Sequence, residues 1–193
     1  MSTASRPSEA ASNLVLVGPM GAGKSSIGRS LADRFGLRLA DVDHQIESRA
    51  GASVNRIFES EGEAGFRERE RAALAELLNG DGLVLATGGG AVLDAGNRAL
   101  LRQRGFVVYL HASVEQQLRR LAHDHTRPLL ARGDREQVLH DLARVREPLY
   151  SQVAHLRFDT NGYSEAEAAD RLAQLLEIHW PIAAARNQRR VPS

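Results

Sequence analysis

The chain has 193 residues, 42% hydrophobic and 25% charged, with a formal net charge of +1. That length suits one domain with a full central sheet, and so small a charge supplies no basic field for nucleic acid. Cysteine is absent, which excludes disulfides, thiolate metal sites and cysteine nucleophiles, and no apolar run approaches the ~18 residues of a membrane span.

Residues 1–12 are small and polar without a hydrophobic stretch, and read as a disordered N-terminal tail, not a signal peptide. Leu14 to Val17 is a short apolar run of the kind that forms a buried parallel strand. It leads into Gly18-Pro-Met-Gly-Ala-Gly-Lys-Ser25, which fits the phosphate-loop pattern GxxxxGK[ST]. Of the 25 lysines and arginines, Lys24 is the only lysine. A compact ammonium on a thin stem fits inside a ring of backbone amides, where a planar guanidinium fork does not. Ser25 to Phe35 then has helical periodicity, with Ile27, Leu31 and Phe35 on one face.

Strand, loop and helix together make a phosphate site. The N–H groups of Gly21, Ala22, Gly23, Lys24, Ser25 and Ser26 would point at the β-phosphate, aided by the positive end of the helix dipole. Lys24 would reach the β- and γ-phosphates, and the Ser25 hydroxyl would ligate Mg²⁺.

Leu37 to Ala40 reads as a short strand that ends at Asp41-Val-Asp43. Residues at i and i+2 of an extended segment point the same way, so both carboxylates could face one cleft, one on the Mg²⁺ shell and one on a substrate hydroxyl. An exposed polar loop is the alternative. Residues 44–50 and 53–60 look like short helices. Residues 62–79 form a longer one with Phe66, Leu74, Leu77 and Leu78 on its apolar side. Leu83 to Ala86 is a strand running into Thr87-Gly-Gly-Gly90. Three consecutive glycines cost backbone entropy and mark a place where something approaches the backbone closely, unless they form only a flexible turn.

A helix follows from Asp94, a suitable N-cap, to Arg104. Phe106 to Leu110 is the clearest strand, and Ser113 caps a helix to about Leu121. Residues 122–134 are polar, carry Pro128 and Gly133, and read as a mobile loop. A helix covers 135–151, Val153 to Phe158 is a last strand, and Ser164 to His179 is an amphipathic helix. Residues 180–193 read as a frayed C-terminal tail. Strands that alternate with helices indicate a parallel sheet in an α/β fold. Among the arginines, Arg67, Arg127 and Arg146 stand beside an apolar or proline position, but periodicity alone leaves each as a surface residue.

Taken together, these segments resemble the shikimate kinase family from about residue 14 to 178. GPMGAGKSS is similar to its phosphate loop, and the run from Leu39 to Glu47 to its DxD region. Ile57-Phe58 with Gly62-Glu63 and Phe66-Arg67-x-x-Glu70 resembles its helix signature, and Ala86 to Gly90 its glycine strip. Thr126 to Leu130 resembles its lid, and Arg146-Glu-Pro-Leu-Tyr150 its late helix.

The resemblance implies a three-layer α/β/α P-loop fold of the nucleoside monophosphate kinase type. Its five parallel strands would lie in order 2-3-1-4-5, in a domain over 13–179 with a substrate subdomain at about 43–70 and a lid at about 121–134. It also implies roles. Asp43 would be the candidate base for the 3-hydroxyl of shikimate, and Asp41 would hold Mg²⁺ through water. Arg67 and Arg146 would clamp the substrate carboxylate, with Gly88, Gly89 and Gly90 against the ring. Phe58, Phe66, Glu70 and Pro128 would line the pocket. Arg127 would stabilise the transferring phosphoryl group, and Arg120 would lie over adenine. The implied protein is a cytoplasmic monomer that acts on ATP and shikimate and has no nucleic-acid or membrane partner.

One departure lies in the adenine loop, where the family often has proline and this chain has Asp159-Thr-Asn-Gly-Tyr-Ser164. A kinase for another small polyol acid such as gluconate would share the phosphate loop without the full motif set. A nucleotide-binding switch would be marked by an NKxD guanine motif, which the chain lacks.

Overall fold

Five apolar runs become five parallel strands: β1 (Asn13–Val17), β2 (Arg38–Asp41), β3 (Leu83–Ala86), β4 (Gly105–His111) and β5 (Leu156–Asp159). The computed structural model describes residues 12–122, 124 and 134–188. The strand order is β2-β3-β1-β4-β5, as the family resemblance implies. β1 sits at the centre, with Leu16 in register with Ala86 on one side and with Val108 on the other. Helices cover both faces of a parallel sheet, so its central strands have no solvent side. Every residue of β1 and β3 is accordingly buried.

Alternate positions feed two cores. Leu14 and Leu16 face α1 (Lys24–Phe35), α7 (Glu165–His179) and α8 (Pro181–Gln188), packing with Leu31, Phe35, Leu172 and Leu176. Val15 and Val17 face the opposite layer with Leu74, Leu78, Tyr109 and Tyr150. That layer comprises α2 (Val42–Ala50), α3 (Val54–Leu77), α4 (Ala95–Arg104) and α6 (Arg135–Val153). The short α5 (Val114–Arg120) follows β4.

Local signals set the helix boundaries. Asp41, Ser53, Asp94, Ser113, Asp134 and Ser164 each accept a backbone N–H at a helix start. Ser164 and Glu167 complete a capping box. Gly36, with φ 62°, ends α1 in the left-handed conformation that glycine adopts without strain. Gly62 (φ 72°, ψ −177°) breaks α3 into the two helical stretches expected on either side of it.

Two expectations need correction. The Asp41-x-Asp43 pair does not lie on one extended segment: Asp41 is the N-cap of α2, and Asp43 sits in its first turn. The chain end is also not a tail throughout. Trp180 is only 1% exposed, stacks on Phe106 and meets Phe35 edge-on, and α8 follows it. Arg186 of α8 donates to the carbonyls of Phe35 and Gly36, which end α1. A single aromatic anchor carries no periodicity, so the sequence pattern could not announce it. A smaller difference is at β5, which begins at Leu156 because α6 continues to Val153.

Candidate active site

The carboxyl ends of β1, β2 and β3 open into one cleft of ≈ 990 Å³. Ligands bind at this edge in open α/β sheets. The phosphate loop forms its floor. Gly18 has φ +149°, and a Cβ there would lie 2.3 Å from the carbonyl oxygen of Leu110, so no other residue fits. Gly21, Gly23, Lys24, Ser25 and Ser26 line the cleft, while the Ala22 side chain is buried in the core and leaves only its backbone for the loop. The Lys24 ammonium donates to the carbonyls of Gly18 (2.8 Å) and Pro19 (2.7 Å), at the base of the loop.

The second strand brings a carboxylate to this floor. Ser25 Oγ donates to Asp41 Oδ2 at 2.6 Å. The other oxygen of Asp41 caps α2, accepting from the N–H groups of Asp43 (3.0 Å) and His44 (3.3 Å). A hydroxyl beside a carboxylate at a phosphate loop is an oxygen donor set suited to a hard divalent cation.

The opposite wall comes from the second half of α3. Arg67 pairs with Glu70 at 2.9 Å and with Glu63 at 3.0 Å. Glu70 is fully buried, and its Oε1 has no hydrogen-bond partner among the described residues. Burial raises the Glu70 carboxyl above its ordinary range; Arg67 and Arg146 pull against that, and Asp43 adds to it. Burial opposes the Arg67 charge, but Glu70 and Glu63 outweigh it and push the guanidinium higher still. Phe58 and Phe66 pack with ring centroids 4.7 Å apart, and the Arg67 guanidinium lies over Phe66.

The three glycines after β3 let this wall approach. A Cβ on Gly88 would stand 2.7 Å from Glu70 Oε1 and 3.1 Å from Asp43 Oδ1. On Gly90 it would lie 2.3 to 2.6 Å from the Arg67 guanidinium. On Gly89 it would touch Arg146 Nη1 at 3.4 Å and the Tyr150 hydroxyl at 3.6 Å. Arg146 is only 6% exposed. The strip therefore gathers Asp43, Arg67, Glu70 and Arg146 round one concavity facing the phosphate loop.

Arg120, at the end of α5, donates to the carbonyl of Gly21 (2.8 Å), to Thr160 Oγ1 (3.1 Å) and to the Thr160 carbonyl (3.0 Å). Its edge is thus held between the phosphate loop and the 159–164 loop. That loop carries no proline but is set by its own polar groups: Asp159 Oδ1 accepts from Asn161 N, and Asn161 Oδ1 from Ser113 N. Arg127 and Pro128 lie outside the described residues.

Several residues here have no site role among the sequence-based expectations. Thr160 is fully buried and bridges His111 to Arg120. Tyr150 donates to the Gly89 carbonyl. Asn55 and His44 line the cleft. Tyr150 alone could have been suspected, from its spacing of four from Arg146, which puts both on one helix face.

The model of the shikimate kinase family matches residues 20–177. A shikimate kinase of Stenotrophomonas maltophilia (strain K279a) is 59% identical over 170 residues, 88% of this chain and 94% of that protein. One from Xanthomonas campestris pv. campestris (strain 8004) is 56% identical over 173 residues, covering 90% and 96%. Among solved structures, a shikimate kinase from Acinetobacter baumannii in complex with shikimate is 51% identical, with a TM-score of 0.83 over 85% of this chain and 92% of that one. The chain belongs to the shikimate kinase family.

Proposed function

We propose that this chain transfers the γ-phosphoryl group of ATP to the 3-hydroxyl of shikimate, giving shikimate 3-phosphate and ADP. The observation that carries it is the half-buried Arg67 paired with fully buried Glu70, with Arg146 and Asp43 around the glycine strip, in one cleft with Lys24. A relative 51% identical to this chain binds shikimate within the same fold.

Phosphoryl transfer needs positioning and charge stabilisation more than covalent catalysis. Arg67 and Arg146 hold the substrate carboxylate, since guanidinium forks bind carboxylate in a bidentate way. Phe58, Phe66 and Pro128 flank the ring, and Glu70 fixes Arg67 from behind. Asp43 orients the 3-hydroxyl and takes its proton as the oxygen attacks the γ-phosphorus. The bond to the β-phosphate oxygen breaks, and ADP leaves with that electron pair. Lys24 and the amides of residues 21–26 balance the phosphate charge, and Arg127 meets the transferring group. Arg120 lies beside the nucleotide base. Ser25 and Asp41, the latter through water, are the residues that would hold Mg²⁺, which when bound screens the phosphate oxygens. This is a cytoplasmic reaction of a monomer, with no nucleic acid or membrane involved.

Coupled measurement of ADP release tests the assignment. Shikimate should stimulate it strongly, while gluconate, quinate and nucleoside monophosphates should do so poorly. Equal turnover of gluconate and shikimate would overturn it.

A further inference from the structure

Tyr150 is buried (1% exposed) on α6, one turn beyond Arg146, so both side chains leave the same helix face. Its hydroxyl donates to the Gly89 carbonyl, and the Arg146 guanidinium lies close enough to pull on it electrostatically. The space a Gly89 side chain would occupy is bounded by Arg146 Nη1 and by this same hydroxyl. Behind the ring, Tyr109 of β4 stacks at a centroid distance of 5.1 Å and is itself buried. One oxygen thus ties the glycine strip to α6 beside a substrate-facing arginine, and a ring anchored in the core holds that oxygen still.

We propose that Tyr150 is a positioning residue of the carboxylate subsite: it fixes the Arg146 fork and the Gly89 peptide relative to each other, so that both meet the substrate carboxylate end without rearranging. This rests on the assignment of Arg146 to that subsite. Three features support it. The hydroxyl satisfies the Gly89 carbonyl while standing at the same wall as Arg146 Nη1, both bordering the space at Gly89. Burial, against the pull of Arg146, pushes the phenol up to about 12, so it remains a neutral donor throughout the working range. The Arg146 guanidinium has a long flexible stem, and a side chain so rich in rotamers binds more tightly when its geometry is fixed in advance.

The test removes the hydroxyl alone. In Tyr150→Phe, calorimetric titration should show shikimate affinity falling about five- to tenfold, the range of one buried hydrogen bond, while nucleotide affinity stays within about twofold. The same titration is run with a shikimate analogue whose carboxyl is reduced to hydroxymethyl. That ligand does not engage the arginine fork, so wild type and Tyr150→Phe should bind it alike. Placing 4-aminophenylalanine at position 150 restores a donor on the same ring and should recover most of the shikimate affinity. An unchanged shikimate affinity in Tyr150→Phe, or equal losses for shikimate and the analogue, overturns the proposal. A wild-type enzyme that binds no shikimate overturns the functional assignment, and with it this one; wild-type binding with no effect of Tyr150→Phe overturns this one alone.

Discussion

Ser25 of the phosphate loop and Asp41 at the end of β2 are joined by a 2.6 Å hydrogen bond, although sixteen residues separate them in the chain. Asp41 divides its work between its two oxygens, one for Ser25 and one for the start of α2. Asp41→Asn separates those roles. Asparagine caps a helix as well as aspartate does, so the melting temperature should barely move. With Mg²⁺ held as proposed, the loss of charge at Asp41 should raise the Mg²⁺ concentration for half-maximal activity by about 10–100-fold, as for other changes just outside a metal's ligands. Titrating Mg²⁺ at fixed ATP and shikimate checks this. An unchanged half-saturation point would remove Asp41 from the metal site.

The ammonium of Lys24 sits between the carbonyls of Gly18 and Pro19, at 2.8 and 2.7 Å. Lys24→Ala should lower kcat by about 10²–10³-fold, the cost of losing one preorganised donor to developing charge. Lys24→Arg should be nearly as impaired, because a planar fork is too broad for the loop. Circular dichroism should show both variants folded, since neither removes buried apolar area. High activity in Lys24→Arg would show that the loop tolerates a guanidinium.

Glu70 predicts a pH-dependent stability. Burial sets its folded pKa above the ordinary value of 4.5. Between 4.5 and that raised value the folded chain holds a proton that the unfolded chain has lost, so this group's stabilising contribution is lost as pH rises through the window. Glu70→Gln keeps an acceptor for Arg67 and has nothing to titrate. Its melting temperature relative to wild type should therefore climb from pH 4 towards neutrality. A difference that is flat across that range would mean Glu70 ionises as readily folded as unfolded.

What the sequence made legible was whatever rests on local chemistry. The phosphate loop was visible because its glycines, lysine and serine are consecutive, and the sheet because its strands are apolar runs between amphipathic helices. The family resemblance added the pairing of Arg67 with Arg146, which no spacing could supply, because they lie on α3 and α6 and meet only across the glycine strip. The true setting of Asp43 was hidden because a helix start at Val42 follows from Asp41 acting as a cap, a choice an extended DxD segment equally permits. Trp180 and α8 were missed because their stability comes from Phe35 and Phe106, distant in the chain, and not from any pattern of their own.

Gly90 gives the sharpest separation of fold from function. An added methyl would lie 2.3 to 2.6 Å from three atoms of the Arg67 guanidinium. What it meets is the far end of a flexible side chain, so the backbone need not move and Arg67 swings aside instead. At Gly18 the same methyl meets the backbone carbonyl of Leu110 at 2.3 Å, which cannot yield so cheaply. Gly90→Ala should therefore be destabilised by no more than the loss of the Arg67–Glu70 pair, whereas Gly18→Ala should be destabilised further by the strained backbone. Displacing Arg67 breaks its pairing with Glu70 and misplaces half of the proposed carboxylate clamp. Losing one partner of a desolvated charge pair costs roughly 2–5 kcal/mol, so Arg67→Ala sets an upper bound, and Gly90→Ala should raise the shikimate KM by about tenfold or more within it. The ATP KM should stay near wild type, because Arg67 and Gly90 stand across the cleft from the phosphate loop. Steady-state kinetics with each substrate varied, alongside thermal melting, decides it. A Gly90→Ala enzyme with wild-type shikimate KM would mean that Arg67 binds the substrate from a position other than the one seen here.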